Sequence, residues 1–202
     1  MTRKPDTTSF WTGRLPHWEV AEGRYFITIH LAGAIPQIGK DRIHQLSAQH
    51  QMIADKNTEE WIRLQRSVYK EMESSLDRTD YVSFLQRYEI ANMILESIEF
   101  RQGRDWNMIE YVIMPSHIHL FCEILGPSLK HVLEQFKRWT GHKGLELLRD
   151  KRNRFWQDEW FDHWSRSGEE DDKIIQYIRQ NPVKAKLVDD YRKWPYGSWR
   201  QK

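Results

Sequence analysis

A chain of 202 residues has room for one domain with a real core, and its net charge of +2 is too small to mark a polyanion partner by bulk electrostatics. Its single cysteine, Cys122, excludes an intrachain disulfide and a cysteine-rich zinc site, and sits in an apolar run as a core thiol would. No stretch approaches the ~18 apolar residues of a membrane helix and the N-terminus is polar, so a cytoplasmic protein is expected.

The charge is uneven. Residues 130–202 carry 17 Lys and Arg against 12 Asp and Glu, or +5, leaving −3 for the remainder. An ordinary solvated surface explains this bias as well as a bound polyanion does. Ten Trp residues are many for this length, and several adjoin cations, as in Lys137-Arg138-Trp139, Arg154-Phe155-Trp156 and Trp199-Arg200. Such pairs suit stacking on unpaired bases with phosphates held alongside, although Trp is also a large core residue.

In chain order, the segment up to Pro16 is polar and has few order signals beyond Phe10 and Trp11. Residues 24–31 alternate and are rich in β-formers, which predicts a first strand ended by Gly33 and Pro36. Residues 40–76 are charged and helix-favouring with broken apolar spacing, predicting one or two exposed helices that embellish the core. Residues 80–100 form a better amphipathic helix, with Ile90, Met93, Ile94 and Ile98 on one face and Gly103 just past its end. Residues 106–114 and 117–124 read as a strand pair joined by Pro115-Ser116 turn chemistry. A helix follows Pro127-Ser128, then an aromatic strand over 155–164 and a helix over 169–180 with acidic residues in its first turn. This order predicts an α+β, ferredoxin-like antiparallel sheet with helices on one face, in a single domain over 1–202.

Two small patterns carry chemistry. In His117-Ile118-His119-Leu120 the period of a strand turns both imidazoles to one face, where two neutral rings can hold a divalent cation given a third ligand. An i, i+2 histidine pair is a weak signal alone; its place at the start of a central strand strengthens it. Tyr177 and Asn181 are four apart and share a helix face. Tyr can act as a covalent nucleophile and Asn can offer a carbonyl oxygen to a hard metal. The same pair suits a half-buried Tyr and a helix-terminal Asn, since the residue before Pro182 avoids the α conformation.

Taken together the motifs resemble a known family. Met114-Pro-Ser-His-Ile-His-Leu120 is similar to the Met-Pro-Asn-His-Val-His-Leu signature of the single-tyrosine HUH transposases, in which U is a hydrophobic residue. Phe155-Trp-Gln157, Phe161-Asp-His163 and Tyr177-Ile-Arg-Gln-Asn-Pro-Val-Lys184 resemble its second conserved block. Gly13-Arg-Leu-Pro-His-Trp18, Tyr25-Phe-Ile-Thr28 and Trp194-Pro-Tyr-Gly-Ser-Trp199 are similar to the opening and closing stretches of its REP-associated (RAYT) branch. Two departures stand out: Ser116 replaces the usual Asn, expected to alter only the turn, and Lys186 follows Ala185 where Gly is common, expected to change how the helix ends.

The resemblance implies an RRM-like palm of the HUH endonuclease type, with His117, His119 and Asn181 as metal ligands and Tyr177 as nucleophile. It implies Mn or Mg as divalent cation, and cutting and rejoining of single-stranded hairpin DNA of REP type through a 5′-phosphotyrosine. Lys137 and Arg138 are candidate phosphate contacts, or plain surface charges. The rival reading is a non-catalytic single-stranded DNA or RNA hairpin-binding module of the same fold. The branch implies a monomer, whereas insertion-sequence relatives pair as dimers.

Overall fold

The computed structural model describes residues 7–12, 15–53, 58–77, 82–149 and 152–200. Six strands and five α-helices follow in the order β1 (Thr7–Thr12), β2 (Pro16–Val20), β3 (Arg24–His30), α1 (Gln37–Gln51), α2 (Glu59–Asp77), α3 (Tyr88–Arg101), β4 (Trp106–Ile113), β5 (His117–Ile124), α4 (Leu129–Leu148), β6 (Phe161–Trp164) and α5 (Gly168–Lys184).

The main sheet has the spatial order β4-β5-β3-β6, with every neighbour antiparallel. Counting from β3, the first and third strands are central and the second and fourth lie at the edges, which is the predicted ferredoxin-like plan. Strand alternation sorts the residues by face. Tyr25, Ile27 and Ile29 of β3 lie opposite Cys122, Leu120 and Ile118 of β5, and all six are at most 1% exposed. Burying each of the aliphatic ones contributes on the order of 2 kcal/mol. This apolar face continues into Trp106, whose ring meets Phe136 of α4 at 5.3 Å and whose indole N–H donates to the Ile98 carbonyl of α3 at 3.2 Å. The two crossover helices therefore cover one face, as expected.

The opposite face is mixed. Phe26, Thr28 and His30 of β3 stand beside Phe121, His119 and His117 of β5. Helix α2 lies over this face, with Tyr69 meeting Phe26 at 5.4 Å and Phe161 at 4.7 Å. The segment expected as exposed helices is thus partly a lid. Its inward stripe is Trp61, Gln65, Val68, Met72, Ser75 and Leu76, all buried. Helical spacing is intact there, but two stripe positions are polar, which is why the sequence period looked broken. Where α1 crosses α2, a Cβ on Gly39 would come within 2.5 Å of Ser75 Oγ, so only glycine permits that approach.

Three further expectations need correction. The segment before Pro16 contains a strand, β1, paired with β2; Gly13 and Arg14 of the opening motif lie outside the described residues. The aromatic run at 155–164 pairs with β3 only over its last four residues, and Trp156 is bridged to Leu31 alone. Phe155 instead turns inward, where its ring packs at 5.4 Å on Phe84. The last helix extends past Pro182 to Lys184.

The small sheet is anchored by Trp18, which meets Trp61 edge-on at 5.5 Å and Trp164 at 6.0 Å, and by His17. The His17 imidazole, 2% exposed, is hydrogen-bonded to Asp162 and lies 3.9 Å from Glu159. Burial opposes its charge, but the two carboxylates outweigh burial and raise its pKa to about 9. A folded-state value above the unfolded 6.5 stabilises below pH 6.5 and is lost as pH climbs to 9. Lys137 has the opposite sign there, because burial lowers its ammonium to about 8 and folding gains stability as it deprotonates. Urea denaturation of wild type and His17→Gln at pH 6.5 and pH 9 separates the two. The stability advantage of wild type should shrink by roughly 3 kcal/mol across that window.

Candidate metal and nucleophile site

The histidine strand is positioned by its turn. Met114 N–H donates to the His117 carbonyl at 2.8 Å, Leu31 N–H to Ser116 O at 2.9 Å, and Leu85 N–H to Pro115 O at 3.1 Å. The turn is therefore held from three sides, and β5 leaves it with His117 facing His30 and His119 facing Thr28.

Both imidazoles are buried, at 2% and 0% exposure. Their Nε2 atoms face each other at 3.1 Å. Two nitrogens each ~2.1 Å from a common ion in neighbouring coordination positions would stand about this far apart. Each ring is fixed at its other nitrogen by a hydroxyl: Ser116 Oγ lies 3.0 Å from His117 Nδ1, and Thr28 Oγ1 lies 2.8 Å from His119 Nδ1. A hydroxyl oxygen that accepts from Nδ1–H selects the tautomer with its lone pair on Nε2, the form a metal ligand needs. Ser116 thus does more than alter the turn. Burial holds the His117 pKa down to about 3, helped by His30 and opposed by the hydrogen bond with Asn181, whose side-chain oxygen favours a protonated ring. Burial, His117 and Lys184 push His119 well below its ordinary value. Both rings are neutral at pH 7, with lone pairs available.

The third group comes from α2 and was not found in the sequence. Glu73 Oε1 lies 3.6 Å from His119 Nε2, and the carboxylate and the two imidazoles offer ligand atoms within 4.8 Å of one another. Two imidazoles and a carboxylate could hold a divalent metal ion. One position after Met72 in a charged helix, Glu73 has no local pattern to distinguish it.

Helix α5 brings the other two candidates. Its start is capped by Ser167, whose hydroxyl accepts from Glu170 N–H at 3.2 Å, and Asp171 in the first turn pairs with Arg24 of β3 at 2.8 Å. Near its end Arg179 grips Glu110 of β4 with two nitrogens, Nε at 3.0 Å and Nη2 at 2.7 Å; Glu110 is 1% exposed. Between these anchors the Tyr177 ring meets His119 at 5.6 Å and Phe26 at 5.7 Å, and its hydroxyl donates to Glu73. Lys184 Nζ stands 4.6 Å from the Tyr177 ring centre. Asn181 is 3% exposed and hydrogen-bonded to His117. Four predicted residues therefore converge: His117, His119, Tyr177 and Asn181.

Lys137 and Arg138 do not join them. The Lys137 ammonium donates to the Asp158 carbonyl and lies over the Trp160 ring at 5.0 Å; Arg138 bonds Gln135 on its own helix.

Asn181 lies inside the helix rather than at a frayed end. The missing N–H of Pro182 removes only the bond to the Ile178 carbonyl, and the helix runs on to Lys184 and ends in a tight terminal motif. Lys186 N–H donates to Val183 O at 2.9 Å and Leu187 N–H to Pro182 O at 3.0 Å. That motif requires Lys186 at φ +58°, a left-handed conformation costly for a residue with a Cβ. Lys186→Gly should therefore raise unfolding stability by about 1 kcal/mol, read as a higher denaturant midpoint with unchanged slope.

No protein-family profile matches the chain. No curated protein is similar to it at a significant level. Among solved structures, that of a REP-associated tyrosine transposase bound to a REP hairpin superposes with a TM-score of 0.58, covering 94% of this chain and 84% of that one at 14% identity. Among the described residues no helix is long and apolar enough to cross a membrane. The chain has the fold of a REP-associated tyrosine transposase.

Proposed function

We propose that the protein is a single-tyrosine transposase-like enzyme of the REP-associated kind, which cuts and rejoins single-stranded DNA beside a hairpin. The observation that carries this reading is the convergence of Tyr177, on the last helix, with the buried His117–His119 pair on a central strand. The fold shared with a transposase that binds a REP hairpin supports the hairpin as partner. A binding module would gain nothing from two neutral imidazoles buried nitrogen to nitrogen beside a tyrosine hydroxyl.

His117, His119 and Glu73 would hold the cation, with the Asn181 side-chain oxygen available to it. Two imidazole nitrogens with carboxylate and amide oxygens suit manganese or magnesium. Bound there, a divalent ion supplies Lewis-acid stabilisation of a non-bridging phosphate oxygen.

The chain's own residues perform the remainder. The Tyr177 hydroxyl oxygen forms a bond to phosphorus while the bond to the 3′ oxygen breaks, leaving a 5′-phosphotyrosine and a 3′ hydroxyl. Glu73 accepts the hydrogen bond of that hydroxyl and is placed to receive its proton, and the leaving oxygen takes up a proton in its turn. Lys184, with its ammonium over the Tyr177 ring, adds positive charge close to the nucleophile. The phosphotyrosine keeps the energy of a phosphodiester, so another 3′ hydroxyl displaces Tyr177 and rejoins the strand without a nucleotide cofactor.

The test is a denaturing gel of protein incubated with manganese and hairpin oligonucleotides carrying randomised unpaired flanks and an internal label. A covalent protein–DNA band should form with wild type and vanish with Tyr177→Phe. Cleavage without an adduct would show water as nucleophile, and binding without either would favour the module. Separately, His119→Ala should weaken Mn²⁺ binding at least tenfold by titration calorimetry while hairpin affinity stays within about threefold. An equal collapse of hairpin binding would make the histidines structural.

A further inference from the structure

A cavity of about 230 Å³ opens beside Tyr177, and nothing in the chemistry just described uses it. Its wall is a contiguous set of rings. Tyr69 meets Phe161 at 4.7 Å and Tyr177 at 5.9 Å, and Phe26 meets Tyr69 and Tyr177 edge-on at 5.4 Å and 5.7 Å. A cluster of four rings in a core would close over itself, but here Tyr69 and Tyr177 are only half-buried and the space remains open to solvent.

The rim is cationic and the end wall polar. Arg66 on α2 and Lys173 on α5 stand on the two helices that flank the opening, both exposed; the Lys173 ammonium also pairs with Glu169 on its own helix at 2.7 Å, so Arg66 is the main rim charge. Gln65, 8% exposed, turns its amide toward His163 Nδ1 at 3.4 Å, and His163 Nε2 is held by Glu170 at 2.9 Å. An aromatic wall, a buried amide able to donate and accept, and cations at the mouth together fit a flat heteroaromatic ring attached to a phosphate. The volume exceeds that of a nucleobase, and the nucleophile is part of the wall.

We infer that this cavity receives the unpaired base of a nucleotide adjoining the scissile phosphate, stacked on Tyr69 and Phe161, with its edge toward Gln65. The inference rests on the nuclease reading for the identity of the polymer. Insertion of that base registers the strand, because a nucleotide seated against the Tyr177 ring leaves its own phosphate beside the Tyr177 hydroxyl. Arg66 and Lys173 hold phosphates on either side of the opening.

The test reads binding without cleavage. The Tyr177→Phe protein is titrated into a DNA hairpin with randomised unpaired flanks and 2-aminopurine at one flank position at a time, since stacking quenches that base. We expect strong quenching at one position only. Tyr69→Ala in the same background should abolish the quenching and weaken binding by about tenfold. Arg66→Glu leaves the interior untouched, so it cannot fail by misfolding; it should weaken binding severalfold and flatten the salt dependence. Tyr88→Ala, an exposed aromatic on another helix, should change nothing. Equal quenching at every position, or binding indifferent to both Tyr69→Ala and Arg66→Glu, overturns the base pocket while adduct formation by wild type still stands. Absence of any hairpin binding overturns the pocket and the nuclease reading together.

Discussion

The register between β3 and β5 is the constraint on which the site depends. His119 stands opposite Thr28 and His117 opposite His30, while the residues between them, Ile118 and Ile29, face the apolar layer. A slip of one residue would drive both imidazoles into the hydrocarbon under α3 and α4 and turn Ile118 and Leu120 toward α2 and α5. The apolar face therefore specifies the polar one. Several kilocalories per mole of aliphatic burial on one side enforce the position of groups on the other that would not themselves favour burial. Thr28 has a dual part here, since the same residue that fills a strand position also fixes the His119 ring.

The second constraint is the seating of α5. The helix that carries Tyr177 is kept from rolling or sliding because α5 is tied at opposite ends to two strands of the sheet: by Asp171 to Arg24 of β3 and by Arg179 to Glu110 of β4. Glu110 is buried where the β4–β5 register shifts, so the bulge aims a carboxylate that regular pairing would have placed elsewhere. Removing Arg179 would take from that buried carboxylate a guanidinium that contacts it through two nitrogens, a larger loss than the pair itself contributes. Lys186 shows the opposite economy. A strained left-handed residue ends the helix because the terminal hydrogen bonds require that conformation, and glycine would satisfy them with less strain.

How much of this is legible in the sequence depends on whether the signal is local. The histidine strand, the turn before it and the Tyr177–Asn181 spacing are local, since strand period and helical turn determine them within a few residues. The four-strand order follows from the sequence of elements and the short hairpin. What is not legible depends on distant partners. Glu73 matters only because α2 lies across the sheet, and α2 conceals its own inward stripe by placing Gln65 and Ser75 on it. Lys137 looks like a free cation in sequence, yet Asp158 and Trp160 engage it. Pro182 reads in sequence as forbidding a helix around Asn181, but the ring removes a single hydrogen bond near the end and the helix continues to Lys184.

These features bear on why a helix outside the ferredoxin-like plan supplies a carboxylate to the centre. The two neutral histidines alone can bind a cation but do nothing for the tyrosine. Glu73 has one oxygen toward His119 and the other toward the Tyr177 hydroxyl, so a single side chain spans the imidazole and the phenol. A carboxylate also brings an anionic ligand that the neutral imidazoles lack, which would offset the charge of a divalent ion held there. Tyr69, one helical turn earlier on the same helix, forms part of the ring wall around the cavity beside Tyr177. Positions 65, 69 and 73 therefore form one row along α2, passing from the polar end of the cavity, through its aromatic wall, to the buried histidine pair. Moving that helix by one turn would disturb all three together. The ring wall, the Tyr177 hydroxyl and the carboxylate beside His119 are therefore all positioned by this one helix.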